Sequence, residues 1–152
     1  MKNKEGLLGI LALVLAVVVV AVYRISNRPP SAEYTPEARV AAILVQGGCL
    51  DCHTQDAEYP FYADFPIAGK IVRQDIDSGF RAFDIEPLYE ALVAGQLPRP
   101  VDVAKVEKVA LDKRMPEPKY YLVHWGSQMT DAKRDIIVEW ARKYRTEYYA
   151  DG

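Results

Sequence analysis

The pentapeptide Cys49-Leu50-Asp51-Cys52-His53 contains two cysteines separated by two residues, and a histidine follows the second cysteine directly. This C-x-x-C-H spacing is typical of the attachment site of a c-type haem. One turn of backbone presents two thiols to the two vinyl groups of one porphyrin, and the adjacent imidazole can reach the iron. The sequence therefore predicts one covalently attached haem c, bound through Cys49 and Cys52 and ligated by His53.

Three other uses of the two cysteines fit the sequence less well than haem attachment. A thioredoxin-like redox pair requires a βαβ context, whereas the surrounding sequence has helical patterns and turns. A zinc site could combine Cys49, Cys52, His53 and His124, but zinc sites usually separate the second ligand pair from the first. A disulfide across so short a loop adds little stability and leaves His53 unexplained.

An apolar segment precedes the motif. Residues 6–23 carry no charge, and a helix of that length covers about 27 Å at about 1.5 Å per residue, close to the roughly 30 Å core of a bilayer. We expect residues 1–23 to form a single-pass membrane anchor, although a cleaved signal peptide is an alternative. Basic residues flank both ends, so charge alone does not orient the helix.

Haem attachment orients it instead, because c-type haem is attached on the periplasmic side of the bacterial inner membrane. The haem domain, residues 35–150, is therefore expected in the periplasm. Residues 24–34 are polar and contain Pro29 and Pro30. Such proline-containing segments are stiff, so we expect a linker that holds the domain away from the lipid headgroups.

The domain begins with a helix start signal. Thr35 can cap a helix that has Pro36 at its first position, and Val40, Ile43 and Leu44 follow at helical spacing. Gly47 and Gly48 are expected to end this helix just before Cys49. Further helical patterns cover 66–78, ended by Gly79, and 86–94, 102–111 and 131–148.

No stretch alternates as a strand would, so the predicted fold class is all-α, a small cytochrome c-like haem domain behind one N-terminal transmembrane helix. The first and last helices of the domain are expected to pack together, with Ile137 and Trp140 facing the first. The basic residues of the last helix are expected to form a solvated face: Lys133, Arg134, Arg142, Lys143 and Arg145.

The sixth position on the iron has one preferred candidate. Met115 lies in a proline-rich loop, where extended backbone can direct its sulfur towards the iron, and Met/His ligation raises the reduction potential. His124, Met129 and an open position remain alternatives. An aromatic cluster near prolines is expected to cover the haem and exclude water: Tyr59, Phe61 and Tyr62.

The order of these motifs resembles the bacterial haem-binding domain family of c-type cytochromes over residues 40–142. The motifs are C-x-x-C-H, Tyr59-Pro60-Phe61-Tyr62, Asp75-Ile76-x-x-Gly79, Met115-Pro116, Tyr121-Leu122-x-His124, Met129-Thr130-Asp131 and Trp140. The resemblance implies a single covalent haem, with Met115 as its distal ligand, and an electron-transfer or peroxidase-associated role. Phe61 stands where the family often has tryptophan, and Gly126 where an acidic or alanine-containing turn is usual.

The resulting interpretation is a membrane-anchored monohaem cytochrome c, a carrier rather than an enzyme, that passes single electrons between redox proteins such as a membrane oxidoreductase complex. A net charge of −2 gives no electrostatic support for nucleic acid binding, and no small-molecule substrate is expected. The alternatives are a haem peroxidase or gas or redox sensor with a displaceable sixth ligand, and a fixed haem subunit of a larger respiratory or photosynthetic complex.

Overall fold

Every regular element is a helix in the computed structural model, which describes residues 2–150. The all-α prediction is confirmed. In chain order the helices are α1 (Lys2–Ser26), α2 (Pro36–Gln46), α3 (Leu50–His53), a short 3₁₀ helix (Phe61–Asp64), α4 (Pro66–Ala82), α5 (Glu86–Val93), α6 (Pro100–Asp112), α7 (Pro118–Tyr121) and α8 (Asp131–Ala150).

Helix α1 contains the predicted membrane segment. Lys4–Ser26 has a mean hydropathy of 2.9 and none of this segment is buried against the rest of the protein. By length and composition it can cross a bilayer once, as the sequence predicted. The rest of the protein leaves the apolar side chains of this segment uncovered, and lipid tails would contact them in a bilayer.

The end of α1 packs directly onto the haem domain, which corrects the linker prediction. The helix continues through Arg24 to Ser26, and Asn27 is 4% exposed. The Asn27 side chain donates to the carbonyls of Tyr23 at 2.9 Å and Trp125 at 3.1 Å, and it accepts from the Gln128 amide at 2.7 Å. A polar side chain that finds three partners has a reason to be buried, and the first part of the predicted linker is therefore not a spacer.

The core is formed mainly by α2, α5, α6 and α8. The Thr35 hydroxyl accepts from the Ala38 amide at 3.2 Å and starts α2 as predicted. Ile43 of α2 is fully buried in the same cluster as Ile137 and Trp140 of α8, so the expected packing of these two helices is confirmed. Each such side chain contributes roughly 1.5–3 kcal/mol by burial.

The predicted solvated face of α8 is wrong at its first turn. Lys133 is fully buried and Arg134 is 7% exposed, whereas Arg142 and Lys143 are exposed as expected. The first turn of α8 lies against main-chain carbonyls of the preceding loop and of the end of α6. Long cationic side chains reach these carbonyls, and the Lys133 ammonium donates to Gln128 at 3.0 Å.

The prediction that Gly79 ends a helix is also wrong, because α4 continues to Ala82. A Cβ atom at Gly79 would lie 2.5 Å from the Cys52 carbonyl oxygen. The absence of a side chain at Gly79 therefore allows α3 and α4 to approach closely. The glycine serves packing between helices and does not end α4. The other predicted helices begin and end within two residues of the observed α5, α6 and α8.

Candidate functional site

Two glycines place the C-x-x-C-H motif against the opposite wall of the site. Helix α2 ends at Gly47, and Gly48 has φ +69°, a left-handed conformation that glycine adopts without steric cost. A Cβ atom at Gly48 would lie 1.8 Å from the hydroxyl oxygen of Tyr120. The missing side chain thus makes room for Tyr120 as the chain enters α3.

A cleft opens between α3, α4 and the loop after α6. It contains two cavities of about 310 Å³ and 270 Å³, the first of which falls within the range of small-molecule sites, roughly 300–1,000 Å³. Four residues line both cavities, so the cavities are two sides of one cleft: Cys49, His53, Ala82 and Met115. Cys52 lines the first. The cleft therefore brings together all four predicted thiol, imidazole and thioether groups.

The ring of His53 is held by the main chain that follows α4. Its Nδ1 lies 2.9 Å from the carbonyl oxygen of Phe83, and its own carbonyl accepts from the Ile85 amide at 2.8 Å. Because a carbonyl only accepts hydrogen bonds, Nδ1 carries a proton, and in the neutral ring the lone pair is therefore on Nε2. This second-shell bond is the arrangement typical of metal-ligating histidines.

The two thiols sit in a dry environment. Burial, with a smaller contribution from Asp51, raises the pKa of Cys49 to about 12, and the same two causes raise the pKa of Cys52 to about 11. Redox-active cysteines of the thioredoxin type need a lowered pKa. Both thiols are therefore neutral at pH 7, which disfavours the redox-pair interpretation and suits an apolar porphyrin.

The zinc alternative fails on geometry. Within residues 2–150 as described, no three His, Cys, Asp or Glu side chains are grouped so that they could hold a metal ion. His124, the fourth ligand of the hypothetical set, lines neither cavity. Its Nδ1 lies 3.1 Å from the Tyr120 carbonyl, its Nε2 lies 3.2 Å from the Tyr62 hydroxyl, and its ring stacks on that of Tyr120 at 3.9 Å. Both ring nitrogens are engaged outside the cleft.

Met115 lines both cavities of the cleft, as His53 does, whereas Met129 lines one of them. Helix α6 ends at Lys113, whose φ of 55° turns the chain sharply towards the cleft. The carbonyl of Met115 accepts from the Arg134 guanidinium at 3.0 Å. Met129 lines the second cavity but not the first, and it packs against the core. A Cβ atom on Gly47 would be 3.0 Å from its terminal methyl.

The predicted aromatic cover lies elsewhere. Tyr59, Phe61 and Tyr62 line neither cavity, and Tyr59 and Phe61 are 57% and 80% exposed. The 3₁₀ helix turns Phe61 outward, while Tyr62 is engaged with His124. The structure therefore does not bring these rings to the cleft, whose wall at this position comes from α4.

Residues that sequence reasoning did not identify complete the site. The Tyr120 hydroxyl donates to Asp51 at 2.5 Å, and burial together with this bond raises the pKa of Tyr120. Lys119 pairs with Asp75 at 2.7 Å across the first cavity. Lys119 and Tyr120 follow Met115 within five residues, and this closeness in sequence could have indicated that they line the same site. Nothing local to Arg134 pointed to the site.

These residues fit a haem. Neutral thiols, an imidazole with a free Nε2 and a thioether line one mainly apolar cleft, and these are the groups that hold a c-type haem.

Comparison with known proteins gives the same class of ligand. The family model described as "Haem-binding domain" matches residues 10–143. The chain is 32% identical over 150 residues to "Cytochrome c peroxidase Ccp" of Escherichia coli (strain K12), an alignment that covers 95% of this chain and 32% of that protein. The chain thus spans about a third of the length of this relative. No solved structure matches significantly.

Proposed function

Because the chain belongs to the haem-binding domain family, we propose that it is a membrane-anchored monohaem cytochrome c that carries single electrons. The haem is attached through Cys49 and Cys52, with His53 and Met115 as axial ligands. The domain faces the periplasm from the bacterial inner membrane, and its partners are redox proteins, among them a membrane oxidoreductase.

One observation carries this proposal. The Phe83 carbonyl fixes Nδ1 of His53 as the protonated nitrogen, and the same cleft holds both cysteines and Met115. The imidazole is thereby presented as a neutral ligand through Nε2, and a thioether is available on another wall of the same cleft. Two neutral axial ligands of this kind are typical of electron-transfer cytochromes with raised potential.

The chain's own residues would set the properties of the site. A bound haem supplies one-electron chemistry at its iron. His53 is kept from rotating by its bond to Phe83, and the apolar walls of the second cavity, including Leu44, Val106 and Ile137, exclude water. Low polarity and a thioether ligand both favour the reduced state, so these residues keep the potential high.

A peroxidase is the second candidate, favoured by the printed name of the E. coli relative. It requires a sixth position that peroxide can reach. The position of Met115 in both cavities favours a filled sixth position and therefore a carrier. A sensor with a displaceable ligand also requires a sixth position that a small molecule can reach, so Met115 would have to leave the iron.

The deciding experiment is an optical and near-infrared spectrum of the oxidised, haem-loaded full chain in detergent. Wild type is compared with Met115→Ala and with the matched control Met129→Ala. We expect a low-spin haem with a sulfur-to-iron charge-transfer band that Met115→Ala abolishes and Met129→Ala retains. A high-spin wild type with peroxide turnover would establish the peroxidase instead, and loss of the band in Met129→Ala would transfer the ligand role to Met129.

Covalent attachment has its own test. Haem staining after denaturing electrophoresis should be strong for wild type and weak or absent for Cys52→Ala. Full staining of the double variant Cys49→Ala/Cys52→Ala would contradict thioether attachment, whatever the axial ligands are.

A further inference from the structure

The end of α1 is fixed against one loop of the haem domain. The rings of Tyr23 and Trp125 are 6.0 Å apart, and the Asn27 side chain bonds the Trp125 carbonyl. Tyr23 is the last residue before Arg24, the first charge after the apolar segment. Trp125 therefore lies at the depth where α1 leaves the hydrocarbon core, the level at which tryptophan and tyrosine are enriched in membrane proteins.

The residues next to Trp125 are apolar and uncovered. Leu122 is 84% exposed, Val123 is 61% exposed and Trp125 itself is 48% exposed. They stand in the loop between α7 and α8, beside the end of α1. Three of the four residues from 122 to 125 are therefore apolar and largely uncovered by the domain.

A second group of exposed apolar side chains is joined to this loop through the contact between Tyr62 and His124. The Phe61 ring packs edge-on against Tyr62 and Phe65. Phe61 and Ile67 are each 80% exposed, and Phe65 is 57% exposed. We call the two groups together the apolar face: Phe61, Phe65, Ile67, Leu122, Val123 and Trp125. A joined patch of this kind marks an interaction surface, unlike single exposed apolar residues.

The charges around the apolar face are compatible with a lipid surface. Arg24 and Arg28 are exposed at the end of α1, where cationic side chains are attracted to anionic headgroups. Asp64 is the exposed acid nearest in sequence to Phe65, and Lys70 follows on α4. Asp56 and Glu58 are also exposed shortly before Phe61, so the charges near the apolar face are of both signs and the basic ones stand mainly at the end of α1.

We propose that the apolar face rests in the headgroup region of the bilayer that α1 crosses. The occupant is lipid because α1 ends on this face and the Tyr23–Trp125 contact fixes its depth. Amphipathic surfaces of this type bury their apolar side chains roughly 5–10 Å into the boundary. The haem domain then lies on the membrane in one orientation and does not swing on a linker, so its cleft keeps a constant height above the bilayer.

The test is photo-crosslinking of the haem-loaded full chain in nanodiscs of phosphatidylcholine and phosphatidylglycerol. The photoreactive residue p-benzoylphenylalanine replaces Phe61 or Leu122, and in the control it replaces Leu97, which is 71% exposed between α5 and α6. After illumination, intact mass spectrometry counts phospholipid adducts. We expect several-fold more adduct at positions 61 and 122 than at position 97.

Equal lipid adduct at all three positions would overturn the proposal. Adducts between two copies of the chain at positions 61 and 122 would also overturn it, because they would assign the apolar face to a dimer. The haem absorption spectrum of each variant verifies that the domain has folded. All three replaced side chains are exposed, so the folded state should tolerate them.

Discussion

The guanidinium of Arg134 donates a hydrogen bond to the main-chain carbonyl of Met115 at 3.0 Å. The same group reaches the carbonyls of Met129 at 3.1 Å and Ala110 at 3.3 Å. One buried side chain of α8 thus holds the end of α6, the Met115 loop and the segment that leads into α8. The position of the candidate sixth ligand depends on a residue that is distant in sequence and outside every motif.

Arg134→Leu should loosen this junction. Leaving buried carbonyls without donors costs about 1–3 kcal/mol for each group, so we expect the free energy of unfolding to fall by at least that amount. The sulfur-to-iron charge-transfer band should also weaken, because the Met115 backbone is no longer fixed. Unfolding followed at the haem absorption band and near-infrared spectra of the folded variant check the two effects.

Arg142→Leu is the matched control, since Arg142 lies on the exposed side of the same helix. It should change neither quantity appreciably. Arg134→Lys should retain part of the band because an ammonium can still donate to some of the carbonyls. An Arg134→Leu variant that is destabilised but has an unchanged band would show that Arg134 supports the fold without positioning Met115.

Gly79→Ala should disrupt the contact between α3 and α4. The added Cβ atom would lie 2.5 Å from the Cys52 carbonyl, a main-chain atom that cannot rotate away. Overpacking of this kind typically costs about 1–3 kcal/mol. Gly126→Ala is the control because its Cβ atom would meet Ser26 at an ordinary 3.6 Å. Equal unfolding free energies for the two variants would mean that α3 is not held against α4.

Asn27→Ala should release α1 from the domain without unfolding the core. It removes two donated bonds and one accepted bond at a buried site, each worth about 0.5–1.5 kcal/mol. We expect faster amide hydrogen exchange at Gln128, whose amide loses its acceptor, and unchanged exchange in α2. Arg28→Ala, at an exposed position, should leave both unchanged. Unaltered exchange at Gln128 in Asn27→Ala would contradict a structural role for this contact.

The sequence was sufficient where a local pattern had one physical cause. The Thr35 cap predicted the start of α2, and the apolar stripe of α2 predicted its packing against α8, because capping and helical periodicity act within a few residues. The C-x-x-C-H motif predicted the haem, which the family match supports. These relationships join residues that are close in the sequence, and a local pattern can therefore predict them.

Prediction failed where the role of a residue depends on residues that are distant in the sequence. Gly79 looked like a helix end but provides space for Cys52, and Arg134 looked solvated but is covered by loops from α6 and α7. Asn27 looked like linker, since its partners at Trp125 and Gln128 are about a hundred positions away. The haem contact of Tyr59, Phe61 and Tyr62 stays a prediction, and hydrophobicity alone does not reveal that the short 3₁₀ helix turns Phe61 outward.

Lys133 should give the protein a distinctive dependence of stability on pH. It is fully buried, its ammonium donates to the Gln128 carbonyl at 3.0 Å, and burial lowers its pKa below the ordinary 10.5. Between the folded and unfolded pKa values, the unfolded chain binds more protons, so stability rises with pH in that window. Below the window, the folded state carries the full cost of a buried charge.

Lys133→Met removes this titration while keeping a similar side-chain length. The unfolding free energy of wild type minus that of the variant should therefore increase as pH rises through the lowered pKa towards 10.5. Groups that titrate in both proteins cancel in this difference. Chemical denaturation of the haem-loaded full chain in detergent at several pH values measures it, with Lys143→Met as the exposed control. A difference that stays constant with pH would mean that burial does not shift the pKa of Lys133, and a difference that falls with pH would mean that the folded state stabilises the cation.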